Sequence, residues 1–158
     1  MKYKWLYQYP IGPVGIAEDD GHIVRVFFER DARSGSLRDF ELRESALIKK
    51  AGRQLDEYFE GRRMAFDLPL LFKGTDFQKK VWDALLAIPY GETRSYGEIA
   101  ARIGSPKAAR AVGMANNRNP ISIVIPCHRV IGADGTLVGY GSGLDKKEVL
   151  LRLEREVG

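Results

Sequence analysis

The chain changes character near residue 75, from strands followed by one helix to a mainly helical pattern, and this limits the fold to two dissimilar units. Up to Phe28 the pattern repeats every second residue, which suits half-buried strands. Lys4-Trp5-Leu6-Tyr7-Gln8-Tyr9, Val14-Gly15-Ile16-Ala17-Glu18 and His22-Ile23-Val24-Arg25-Val26-Phe27-Phe28 read as three of them. Pro10-Ile11-Gly12-Pro13 and Asp19-Asp20-Gly21 supply the turns of an antiparallel meander. Leu47, Ile48, Ala51, Leu55, Tyr58 and Phe59 then fall at helical spacing, with Gly61 placed to end the helix. Residues 62–74, with Pro69 and Gly74, read as a linker, so the expected units are 1–74 and 75–158.

Beyond the linker the pattern is helical. Thr75-Asp76-Phe77-Gln78 has the form of a capping box, and Phe77, Val81, Leu85 and Ile88 mark one face. Pro89-Tyr90-Gly91 breaks that helix. Ser95-Tyr96-Gly97-Glu98 is a second capping box, opening a short helix that faces inward through Ile99 and Ile103. After Gly104, Ser105 and Pro106 are placed to cap a third helix. Asp145-Lys146-Lys147-Glu148 starts a last one, expected to pack through Val149, Leu150 and Leu153. The fold class is therefore α+β, a small antiparallel sheet with a helix followed by a mainly helical unit.

Two short helices joined at Gly104, with Lys107 and Arg110 near the start of the second, form a helix-turn-helix candidate. Residues 93–130 carry six basic side chains, Arg94, Arg102, Lys107, Arg110, Arg118 and Arg129, against Glu98 alone. A local excess of this kind favours a polyanionic partner, and a solvated basic face is the plainer reading. The second helix is rich in small residues, which admits close approach to a narrow groove or tight helix packing.

The chain holds one cysteine, Cys127, and two histidines, His22 and His128. An internal disulfide and a multi-thiolate zinc site are excluded. No apolar run approaches the roughly 20 residues that span a bilayer. The Met1-Lys2-Tyr3-Lys4-Trp5 start is not a signal-peptide core, so a cytoplasmic compartment is expected. Cys127 lies in the apolar run Ile121–Ile131, interrupted by Pro126-Cys127-His128-Arg129. Pro126 bends the run, and imidazole and guanidinium neighbours are expected to lower the thiol pKa and populate its thiolate. On an extended chain Cys127 and His128 face opposite ways, so a turn or a bridging water must complete any proton path. Glu154, on the last helix, is a candidate to orient the imidazole.

Pro126-Cys127-His128-Arg129-Val130 is preceded by Asn119-Pro120, by Pro106-Lys107-Ala108-Ala109-Arg110-Ala111-Val112-Gly113 and by Gly91-Glu92-Thr93-Arg94-Ser95-Tyr96. In this order, from about Phe77 to Glu154, the chain resembles the O6-alkylguanine-DNA alkyltransferases. The resemblance implies a ribonuclease H-like N-terminal domain and a winged-helix-like C-terminal domain. It implies irreversible, single-turnover transfer of an alkyl group from O6-alkylguanine, and from O4-alkylthymine, in duplex DNA to Cys127. His128 then acts as the water-mediated base, oriented by Glu154. Tyr96 contacts the flipped base, and Arg110 fills the gap it leaves. Asn119 ties the recognition helix to the active-site loop. Ser95, Ala109, Ala111 and Gly113 line the minor-groove face. The Cys127 and Val130 carbonyls receive the guanine amino group, and Tyr140 and Gly141 belong to the loop walling the pocket. No cofactor, metal or membrane is implied, and a monomer is expected. The competing classes are a cysteine hydrolase and a non-catalytic binder, either a lesion sensor or a helix-turn-helix regulator.

Overall fold

The computed structural model describes residues 1–29, 37–137, 140 and 143–157, arranged as two units, Met1–Phe72 and Lys73–Gly158. In the first, strands β1 (Lys2–Tyr9), β2 (Gly12–Asp19) and β3 (His22–Phe28) form the expected meander. A two-residue strand β4 (Glu41–Leu42) joins β1 in parallel, giving the order β3-β2-β1-β4. Helix α1 (Ala46–Phe59) covers one face of the sheet. Val14, Ile16, Val26 and Phe28 are buried on the strands, as are Ile48, Ala51, Leu55 and Tyr58 on the helix.

The central strand is covered on its other face as well. Ala17, Phe27 and Leu37 form a second cluster there, backed by Val24 and Phe40. Glycine is required at position 15, because a Cβ would lie 2.3 Å from the Phe27 ring. The linker expected at 62–74 is partly stitched into this unit. Ile23 pairs with Leu70 as a parallel bridge, and the Gln54 amide holds the Asp67 backbone through both its oxygen and its nitrogen.

The second unit holds α2 (Asp76–Leu86), α3 (Tyr96–Arg102), α4 (Ala109–Asn117) and α5 (Leu144–Val157). Short strands β5 (Arg94–Ser95) and β6 (Val130–Ile131) pair in parallel. Both capping boxes form in full, at Thr75 with Gln78 and at Ser95 with Glu98. Helix α3 ends in a Schellman motif, in which Ser105 N–H reaches the Ala100 carbonyl, Gly104 N–H reaches Ala101, and Gly104 sits at φ +81°.

Helix α4 starts later than the Ser105 cap implies. Its N-cap is Ala108, with no side-chain cap, because residues 105–108 close a separate turn through Ala108 N–H to the Ser105 carbonyl. Proline at position 106 suits the second place of such a turn, so the helix begins only after it. Helix α5 also differs from expectation. Val149 is exposed, while Lys147, Leu150, Leu151 and Glu154 are buried. Trp82 donates its indole N–H to the Ala115 carbonyl at 2.9 Å, fixing α4 against α2.

Candidate active site

Cys127 is presented by a chain of tight turns between α4 and β6. Val124 N–H bonds back to the Ser122 carbonyl across Ile123, whose φ is +73°, a strained γ-turn for a β-branched residue. Ile123 is almost wholly buried, so packing holds the conformation in place. Cys127 N–H bonds back to Ile125 across Pro126, at φ −80° and ψ 65°, an inverse γ-turn that proline's fixed φ favours. Residues Cys127–Arg129 then make one 3₁₀ turn. The extended reading of Cys127-His128 gives way to a turn, the other arrangement that could complete a proton path.

Asn119 braces this loop from inside. Its Nδ2 donates to the Ile125 carbonyl at 2.7 Å, its Oδ1 accepts from Ile121 N–H at 2.9 Å, and its side chain favours the Cys127 thiolate. Tyr140 is buried near the same thiol and favours its thiolate. Gly141, with Val138, Gly139 and Ser142, lies outside the described residues.

The thiol itself is buried, and this reverses one expectation. Desolvation pushes the Cys127 pKa above its ordinary value, against the pull of Asn119, Tyr140 and the Lys147 charge. The cause is the low dielectric around the sulfur, which penalises the thiolate more than its neighbours favour it. The resting side chain is a neutral thiol that needs a base.

His128 stands next to it with no exposed surface. Its Nε2 meets Glu154 Oε2 at 2.7 Å. Among the described residues no hydrogen-bonding group reaches Nδ1. Burial lowers the His128 pKa, so the ring is neutral, with Nε2 donating to the carboxylate and Nδ1 carrying the basic lone pair. Glu154 is equally buried and held well below the ordinary carboxylate range by His128 and Arg129, which outweigh its desolvation together. Arg129 is not part of a basic face: it is 6% exposed and bonded to Glu154 through Nε at 2.8 Å and Nη2 at 3.0 Å.

Tyr96 opens α3, half-buried and close enough to Cys127 for the thiolate to raise its hydroxyl pKa beyond what burial does. A methyl group built on Gly113 would rest on the Tyr96 ring at 3.7 Å, so α4 lies directly over this tyrosine. Arg110 and Ala111 are exposed on α4, Ala109 and Gly113 partly so, and Met114 extends the same exposed face. Ser95 is consumed in its cap, with Oγ accepting from Glu98 N–H. The structure thus brings Cys127, His128, Glu154, Asn119, Tyr96 and Tyr140 around one loop, while Arg110 stands apart on the outer face of α4.

Two residues at this site escaped sequence reasoning. Lys147 is fully buried and donates Nζ to the Val130 carbonyl, 5.9 Å from the Tyr96 ring centroid. Asn116 is buried on α4 and donates Nδ2 to the Cys127 carbonyl at 3.3 Å, beside the Val130 N–H that the same oxygen accepts. The signal was present, since Lys147, Leu150, Leu151 and Glu154 share the i, i+3, i+4, i+7 stripe that packs a helix inward.

Residues 76–156 match the family described as 6-O-methylguanine DNA methyltransferase, DNA binding domain. Residues 2–72 match 6-O-methylguanine DNA methyltransferase, ribonuclease-like domain. The chain is 53% identical over 152 residues to the methylated-DNA–protein-cysteine methyltransferase of Methanosarcina acetivorans, covering 96% of this chain and 97% of the relative. It is 48% identical over 159 residues to the constitutive enzyme of that name from Bacillus subtilis, covering 98% and 96%. The crystal structure of the Mycobacterium tuberculosis O6-methylguanine methyltransferase superposes with a TM-score of 0.93 at 46% identity, covering 100% of this chain and 95% of that one. The Mycobacterium tuberculosis OGT in complex with DNA gives 0.92 at 46% identity, covering 99% and 94%.

Proposed function

This chain belongs to the 6-O-methylguanine DNA methyltransferase family, and from that premise we propose that it repairs O6-alkylguanine in duplex DNA by moving the alkyl group onto Cys127. The observation that carries the assignment is the buried pair His128–Glu154 behind the chain's sole thiol.

The reacting carbon sits inside a base stack, so the nucleotide must be turned out of the duplex, at a cost of a few kcal/mol. Helix α4 faces the minor groove through Ala109, Ala111 and Gly113, whose small side chains let the backbone approach. Arg110 enters the duplex and fills the space left by the nucleotide. Lys107 and Arg118 lie along the same exposed segment and meet phosphates.

In the site the thiol proton passes through a solvent molecule to Nδ1 of His128, and Glu154 accepts the hydrogen bond of the resulting imidazolium. Sulfur attacks the alkyl carbon as the C–O6 bond breaks, leaving a thioether and an anionic guanine. The Tyr96 hydroxyl faces the base and helps it regain a proton, while the Lys147 charge stabilises the transient thiolate. Val130 offers the remaining lone pair of its carbonyl to the guanine amino group. The Cys127 carbonyl already accepts two bonds, so the amino group must share it with Asn116. The thioether has no leaving group that returns the thiol, so each molecule acts once. O4-alkylthymine presents the same alkyl–oxygen bond and is a second substrate. The protein works as a monomer in the cytoplasm, where its thiol stays reduced.

The test is mass spectrometry after incubation with a duplex carrying O6-methylguanine. One added methyl is expected on the peptide containing Cys127, none in Cys127→Ser, and product equal to protein. Multiple turnovers, or binding with no mass change, would overturn the assignment.

A further inference from the structure

In sequence Arg129 looks like one more phosphate contact, yet all three of its guanidinium nitrogens are spent inside the protein. Nε and Nη2 grip both oxygens of Glu154, and Nη1 donates to the Ile88 carbonyl at 2.7 Å. The ring of Tyr90 lies 5.6 Å from the guanidinium carbon. Glu154 Oε1 also accepts from Gly91 N–H at 3.2 Å. The carboxylate therefore receives donors from His128, Arg129 and the Gly91 backbone, and neither oxygen is left to swing toward another partner.

A buried ion pair of this kind is weak support for stability, because a well-packed apolar group often serves as well or better. Its placement against the one carboxylate that touches His128 has a more specific consequence. We propose that Arg129 is a positioning residue for the reaction: its two-bonded guanidinium fixes and neutralises Glu154, so that the carboxylate orients His128 without drawing a resting proton onto Nδ1. The inference rests on reading Cys127, His128 and Glu154 as the reacting group.

Two separable effects follow. The fork sets the plane of the carboxylate, which keeps Oε2 on the Nε2–H bond and leaves the Nδ1 lone pair for the thiol proton. The charge offsets Glu154, which alone would favour an imidazolium. The groups facing His128 are Glu154 and Lys147 from α5, and Arg129 and Cys127 from its own turn, with Tyr90 behind the guanidinium. Burial, Arg129 and Lys147 all lower the His128 pKa, and Glu154 alone among these opposes them. A histidine already charged at neutral pH could not take the thiol proton.

Nitrogen-15 NMR of the full chain separates this from a structural role. With two histidines, His22→Gln assigns the signals. Wild-type His128 is expected as the neutral tautomer protonated on Nε2, and the tautomer protonated on Nδ1 overturns the proposal without any variant. Arg129→Met is expected to raise the His128 protonation constant about tenfold, and to move the acid limb of transfer from free O6-benzylguanine the same way. Arg129→Lys keeps the charge and is expected to leave the constant near wild type while slowing transfer, because the fork is lost. If Arg129→Met does not fold, Arg129→Gln stands in its place with the same expected rise. An unchanged constant in the neutral variant, with transfer or stability falling regardless, makes Arg129 structural and refutes the proposal. The titration needs no substrate, so it stands apart from whether Cys127 accepts a methyl group.

Discussion

Lys147→Met is expected to make the protein more stable at neutral pH and a slower alkyl acceptor. Lys147 is wholly buried, and burial pushes its pKa from 10.5 down to about 8, with Cys127 pulling the other way. One pKa unit corresponds to about 1.4 kcal/mol, so holding this charge costs the fold about 3 kcal/mol below pH 8. The unfolded lysine keeps its proton up to about pH 10.5 and the folded one only to about 8. Between those values the unfolded chain binds more protons, so the cost fades as pH rises. Methionine has a similar length and no charge, and it removes the cost. It also strips the Val130 carbonyl of a donor, at about 1–3 kcal/mol. The net is a gain of about 1 kcal/mol at pH 7, reversing to a loss near pH 10. Urea unfolding of both proteins from pH 7 to 10 reads this as a difference that changes by about 2–3 kcal/mol. Transfer from O6-benzylguanine at pH 7 should slow by on the order of tenfold to a hundredfold, since the thiolate loses its nearby cation. A stability difference that stays constant with pH would refute the reasoning, because the lysine would then carry no burial cost.

Arg110→Ala should slow repair of duplex DNA far more than reaction with free O6-benzylguanine, because the free base needs no flipping; equal losses in the two assays would remove Arg110 from the flipping step. Stability should fall as pH drops from about 6.5, because His128 and Glu154 both have folded pKa values below their unfolded ones. In each case the unfolded chain binds the proton first, His128 below about pH 6.5 and Glu154 below about 4.5, so the loss should come in two stages. A flat profile from pH 7 to 4 in denaturant unfolding would contradict this. Glu154→Ala should cost about 3–5 kcal/mol in the same assay, since it leaves the buried Arg129 charge without its partner.

Much of this protein was readable from its order of residues, because local chemistry decides local structure. The alternation through Phe28 set three strands, and Thr75-Gln78 and Ser95-Glu98 set two helix starts, each within reach of a few neighbours. The Pro126-Cys127-His128-Arg129 interruption marked the proposed nucleophile for the same reason: polar groups do not enter an apolar run without a use. Pairing Glu154 with His128 was within reach only as a candidate, since 26 residues separate them. Where reading failed, the deciding quantity was distance to groups far along the chain. Arg129 looked like surface charge until α5 delivered a carboxylate to it, and Lys147 was only part of a helix start until its helix turned that face inward. The thiol was expected to ionise more readily on account of its neighbours, yet the surrounding helices and loops remove it from water, and desolvation outweighs them. Sequence names which charges a chain carries; the packed fold decides which of them lose their water, and that loss sets their chemistry.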